Sequence, residues 1–254
     1  MLKLSSLMKR TLYIIPFLFM TSLSEIFLYT PREQNLSDVL WYSIFGRVSR
    51  GEVHTMILEV KSLGFLFLFA ILFGSYFSNF FGQTSVLLFT RIKDRRKWGI
   101  KKIGILCILS SVYTLMLLLF ELAVGIRLVT SWMFHQKVML TLMAMFGLIF
   151  PLLTVICVSV NWMSINHGIS MSISVVILAL VVLQMIAVFF FDNDYNMVLN
   201  PLCFNSALLT APKLMFVKII VGLFYMAAVS AGLLLYIEHM DIFEKGGAKG
   251  CSIL

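Results

Sequence analysis

Apolar residues in this chain gather into six long runs, at about 12–29, 63–81, 103–124, 138–160, 168–191 and 214–236, with shorter polar stretches between them. A helix needs about 20 apolar residues to cross the hydrocarbon of a bilayer, and each run is of that order. The pattern predicts an all-α, polytopic membrane protein with six transmembrane helices. Residues 1–254 then form one transmembrane domain with both termini on the same side. The first run could also be read as a signal peptide, because Lys3, Lys9 and Arg10 precede it and Ser22 and Ser24 stand just before Glu25. Apolar character resumes through Ile26, Phe27 and Leu28, which makes the run long enough to span, so an uncleaved first helix is expected.

The polar stretches differ among themselves. Residues 30–61 carry charges of both signs, and within them Val39, Leu40, Trp41, Ile44 and Phe45 recur at helical spacing behind Ser37 and Asp38 as cap candidates. A short amphipathic helix on the outer surface is expected there, with Trp41 and Tyr42 in the headgroup layer. Pro151 inside the fourth run predicts a kink. Residues 161–167 read as an uncharged turn, and 192–213 as a polar segment with Pro201, Pro212 and an apolar middle. The tail, 238–254, is charged and contains glycines, and is expected to be loose.

Charge decides which way the chain faces. Residues 91–102 read RIKDRRKWGIKK, with basic side chains at Arg91, Lys93, Arg95, Arg96, Lys97, Lys101 and Lys102. Such a cluster cannot lie in hydrocarbon, and positive charge beside spans is retained on the cytoplasmic side. Both termini and the segment 83–102 are therefore placed inside, and 30–61 and 192–213 outside. Overall the chain is 60% hydrophobic and 13% charged, with mean hydropathy +0.97 and net charge +8. Soluble domains carry roughly 25% charged residues, so too little polar surface is present to cover one. The basic residues form short clusters beside apolar runs, without the continuous face that nucleic acid requires. Nucleic acid is thus excluded as a partner.

Few residues point to catalysis. The cysteines Cys107, Cys157, Cys203 and Cys251 are widely separated and lack a C-x-x-C pair, which argues against zinc and a disulfide framework. The last four residues, CSIL, match a prenylation box, yet a chain anchored six times gains little from a lipid. No phosphate-binding loop of the G-x-x-x-x-G-K-[ST] kind and no H-E-x-x-H occurs, and Asp192 and Asp194 read as an exposed acidic turn. An enzyme is not expected, nor a metal or cofactor bound by this chain. More informative are Glu25, Glu121 and Lys218, which fall at similar depth toward the outer ends of their runs. They are read either as snorkelling or locally paired charges, for example Glu121 with Lys218, or as a lining that meets a cationic or amphipathic substrate. Gln184 in mid-run and Asn79 near an inner end are expected to hydrogen-bond across helices. The pairs Ala228/Gly232 and Ala227/Ala231 offer a small-residue face for close helix approach, including between subunits.

The six runs, the basic segment after the second and the proline-interrupted segment before the sixth resemble the permease subunit of ABC-2 type ATP-binding cassette transporters. Many members carry a stretch of the form R-x-K-x-R-x-x-W between helices two and three, here Arg91-Ile-Lys93-Asp94-Arg95-Arg96-Lys97-Trp98. The resemblance implies an ABC-2, type V exporter-like fold in which this stretch is a coupling helix seated in a groove of an ATPase subunit. Trp98 is expected to anchor it there or in the headgroups. It further implies that 192–213 forms short re-entrant helices. Two ATPase subunits, which bind ATP and Mg, and a second permease of the same or a related chain are the implied partners, together with membrane lipid. Size is similar to that of small Firmicutes permeases that export peptides, including lantibiotic immunity exporters, in the bacterial plasma membrane. Only about ten residues precede the first run, whereas many members begin with a long amphipathic helix. Two other readings stand beside this one. An ion-driven secondary transporter predicts midplane charges and an internal repeat, and only Gln184 is central here. A non-transporting immunity or assembly protein is the other.

Overall fold

In the computed structural model, the residues described are 36–45, 53–76, 94–128, 136–190, 194–203 and 212–239, and every element among them is helical. In chain order these are α1 (Leu36–Phe45), α2 (Val53–Phe73), α3 (Arg95–Leu128), α4 (Gln136–His167), α5 (Ile169–Phe189), α6 (Asp194–Leu199) and α7 (Pro212–His239). Four of them, α3, α4, α5 and α7, are long and apolar enough to cross a membrane, as in a multi-pass membrane protein. The run at 12–29 lies outside the described residues, as does Tyr42's side chain.

Helix α4 is the axis of the bundle. It is buried along most of its length and touches α1, α2, α3, α5 and α7. Helices α2 and α3 run antiparallel beside it: the Tyr113 hydroxyl donates to the Phe65 carbonyl at 2.8 Å, and the Tyr113 ring lies 4.9 Å from that of Phe69. Helices α4 and α7 run parallel, with Gly147 opposite Ile219, Pro151 opposite Gly222 and Trp162 opposite Gly232. A Cβ at position 232 would stand 2.7 Å from the Trp162 ring, so only glycine fits there. This splits the small-residue face: Gly232 is used inside the chain, whereas Ala227, Ala228 and Ala231 are exposed.

Three expectations change. First, α4 continues as helix through 161–167, where a turn was expected, and passes through Pro151 on the way. The reversal into α5 is compressed into Gly168, whose φ of 80° lies in the left-handed region that glycine adopts without strain. Asn161 is polar because it has work in the interior, not because it faces solvent. Its side-chain amide donates to the Cys157 carbonyl at 2.8 Å and to the Phe73 carbonyl at 3.0 Å.

Second, the helix expected over 63–81 begins earlier, at Val53, and stops at Phe73, followed by a turn through residue 76. A helix that ends leaves its last carbonyls without intrahelical partners, and that of Phe73 accepts both the Tyr76 N–H at 3.1 Å and the Asn161 amide. Third, α1 exists but does not lie on a headgroup surface. Leu36, Val39, Leu40, Trp41, Ile44 and Phe45 are all buried, Trp41 completely. Helix α1 packs on α2, α3 and α4, and Gly125 of α3 lies under Leu36 and Leu40. Its apolar residues occupy more than one face of a ten-residue helix, so a surface position would leave half of them in water. Ser37 falls within the first turn and is buried, so it is not the cap.

The Asn161→Leu variant keeps the volume and removes the donor. Its unfolding free energy in mixed micelles should fall by about 0.5–1.5 kcal/mol, the scale of one lost hydrogen bond, since the Phe73 carbonyl keeps the Tyr76 N–H. An unchanged unfolding midpoint would show that the end of α2 does not depend on this bond.

Candidate functional site

The basic stretch is not an element of its own. Helix α3 starts at Arg95 and runs without interruption for 34 residues, so the expected segment 83–102 and the expected span 103–124 share one helix. Asp94 starts it. One carboxylate oxygen accepts the Lys97 backbone N–H at 2.9 Å, and the other lies 3.2 Å from the Lys97 ammonium. These bonds from Lys97, main chain first, hold the Asp94 carboxyl below its ordinary range. A carboxylate at this position also complements the positive end of the helix.

The first two turns of α3 have two faces. Arg96, Lys97, Ile100 and Lys101 are exposed, and Arg95 is half-buried. On the other face Gly99 lies against Leu234 and Ile237 of α7. Trp98 is partly buried and packs against the apolar core, rather than projecting as a free anchor. The Lys102 ammonium lies 5.7 Å from the centre of the Trp98 ring and 5.3 Å from that of Tyr76, with the Tyr76 hydroxyl at 3.5 Å. Two electron-rich faces thus hold one half-buried cation. The basic stretch therefore divides by role: Trp98 and Lys102 hold the end of α3 against the turn after α2, and Arg96, Lys97 and Lys101 form an outward ridge. Arg91 and Lys93 lie outside the described residues.

The other candidate residues, the charges Glu25, Glu121 and Lys218 and the amides Gln184 and Asn79, are dispersed where they are described. Glu25 and Asn79 lie outside the described residues, and Gln184 is half-buried on α5. Glu121 is buried on α3, one turn before the glycine that meets α1. Lys218 is buried on α7 and aimed at α6, where its ammonium meets the main-chain carbonyls of Met197, Asn200 and Cys203. Beside it, Val155, Leu183, Tyr195, Leu199 and Tyr225 line a shallow, open apolar cleft.

Two features escaped the reading of the sequence. Tyr76 falls within the run 63–81 that was expected to be one span, so its place in a turn beside Lys102 was not visible. Asn196 of α6 and Asn200, just past its end, are four residues apart, and the Asn200 amide donates to the Asn196 side-chain oxygen at 3.2 Å. Asn200 donates to the Leu183 carbonyl at 2.8 Å and Asn196 to the Phe190 carbonyl at 3.1 Å, and together they fasten α6 to the end of α5. The spacing was there to be noticed, but a DNDYN context suggested only a turn.

No family model, curated protein or solved structure matches this chain.

Because Asp94 is held ionised by its bonds, the start of α3 gains stability that is present above the ordinary aspartate value of about 4. That contribution disappears as pH falls through the lower, folded-state value. Amide exchange across residues 95–98 should therefore quicken as pH is taken below about 4, once corrected for intrinsic rates. In the Asp94→Asn variant the corrected rates should be flat over that range. A pH-dependent change of equal size in the variant would assign the effect elsewhere.

Proposed function

We propose that this chain is the transmembrane permease subunit of an ABC-2 type exporter of the bacterial plasma membrane, with six spans and a cytoplasmic N-terminus. It pairs with a second permease, the same or a related chain, and two ATPase subunits that bind ATP and Mg. The cargo is a peptide or another amphipathic or hydrophobic molecule, passed outward.

The observation that carries this reading is the continuity of α3. An exposed basic ridge, Arg96, Lys97 and Lys101, stands on the first turns of the same 34-residue helix that continues to Glu121 and beyond. At a rise of 1.5 Å per residue that helix is about 51 Å long. A subunit seated on the ridge grips a stiff rod, and a displacement at one end tilts the other. In this reading the cation-aromatic contact at Lys102 and the seat of Gly99 on α7 serve as the fulcrum near the gripped end, where small movements are magnified. Part of the ridge also faces anionic headgroups, which basic juxtamembrane residues attract.

The test is purification of the tagged protein from native membranes in mild detergent, with ATPase activity measured in the eluate. Wild type should bring down an ATPase. The triple variant Arg96→Ala, Lys97→Ala, Lys101→Ala should lose it and keep its thermal stability, because those side chains are exposed. Trp98→Ala should instead lower stability, since that ring packs inward. A wild-type protein that elutes alone and inactive from its native source would move the reading to an ion-driven or non-transporting membrane protein.

A further inference from the structure

Only three residues of α7 are buried, Leu233, Ile237 and Lys218. A lysine in that company requires an account, because an ammonium taken from water is strongly disfavoured unless its donors are satisfied. Three carbonyls converge on it: Met197 at 2.8 Å, Asn200 at 2.9 Å and Cys203. An ammonium has three donors and no acceptor. All three acceptors are main-chain atoms, from the last turn of α6 and the turn that follows it. Met197 is in the last turn of α6, where a helix end leaves carbonyls without intrahelical partners, and Asn200 and Cys203 follow in the turn.

The turn itself is built to present them. The Asn200 N–H donates to the Asn196 carbonyl at 2.9 Å, and the Cys203 N–H to the Asn200 carbonyl at 3.2 Å. The Asn200 side chain accepts from the Leu202 N–H at 3.0 Å, and Leu202 and Cys203 are buried. The N–H groups thus bond within the turn or to the side chain of Asn200, and the carbonyls of Met197, Asn200 and Cys203 face one point. Convergent main-chain carbonyls are what proteins use to replace the hydration shell of a monovalent cation.

We propose that the carbonyls of Met197, Asn200 and Cys203 form a monovalent-cation site, which the chain fills with its own Lys218 ammonium. The filled site is what keeps α6 and its turn docked on α7. The site's ligand class is a small ammonium-type cation: with the tether removed, free ammonium or methylammonium takes its place. This assignment is independent of the transport reading.

Cys203 gives the readout, because its carbonyl belongs to the site and its side chain is buried. The full-length protein in detergent is treated with N-ethylmaleimide, and modification at each cysteine is followed by mass spectrometry. In wild type Cys203 should be protected. In Lys218→Ala and in Lys218→Met it should react about tenfold faster or more, the factor expected for losing a charge-assisted bond. Ammonium or methylammonium chloride should restore protection to Lys218→Ala, and tetramethylammonium at the same ionic strength should not. Lys218→Met should gain nothing from either, since its side chain fills the space without a charge. Buried Cys157 is the internal control and should stay protected throughout. Cys203 remaining protected in Lys218→Met would overturn the clamp. Loss of protection in Lys218→Ala that neither small cation reverses would overturn the cation site. Cys157 opening together with Cys203 would replace both with general unfolding.

Discussion

A helix that ends inside an apolar bundle leaves carbonyls that water cannot reach, and each must be given a donor from elsewhere in the chain. Most of the distinctive side chains here meet that demand. Asn161 of α4 reaches the end of α2 at Phe73. Asn196 of α6 reaches the carbonyl of Phe190, just past the end of α5. Lys218 of α7 reaches the end of α6, and Tyr225 of α7 donates to the Leu199 carbonyl at 3.2 Å. Burial of leucine against leucine gains little when the alternative is lipid, so these bonds, with close packing such as Trp162 on Gly232, decide which helix sits where.

Much of the fold could be read from the sequence, and the part that could not has a physical pattern. The positions of α3, α4, α5 and α7 follow from apolar length, because hydrocarbon thickness imposes a nearly fixed number of residues. What failed was the treatment of polarity as exposure. Asn161 and the residues after it were assigned to a turn, yet they are helical, and the asparagine is one of the most deeply buried polar groups. Trp41 was placed at the headgroups because tryptophan favours that layer, yet α1 has apolar residues on several faces and is enclosed. In both cases the deciding information was a tertiary partner, which hydropathy along one strand of sequence does not contain.

The basic stretch illustrates the same limit at the candidate site. Its composition marked it as charged and outside the hydrocarbon, but as a segment apart from the span that follows, whereas the two are one helix. Its division into a seated face and a free face was not visible, because that depends on α7 lying under Gly99 and on Tyr76 returning from α2. Charge alone marked seven basic residues as equivalent. Geometry separates those able to meet a partner from those that hold the helix in place.

The link between α4 and α5 is a single glycine, and this bears on how the protein comes to face one way. Orientation in membranes is ordinarily dictated loop by loop, through the positive charge each loop retains. A one-residue link has no such charge to contribute, and its neighbours offer only His167. Helix α5 therefore carries no directional information of its own. Hinged to α4 as a hairpin, it would take its direction from α4, and on the proposed orientation α4 would take its own from the charges that open α3. On the orientation proposed above, one cluster of basic residues early in the chain would thus orient three successive helices, leaving α5 free to be almost wholly apolar.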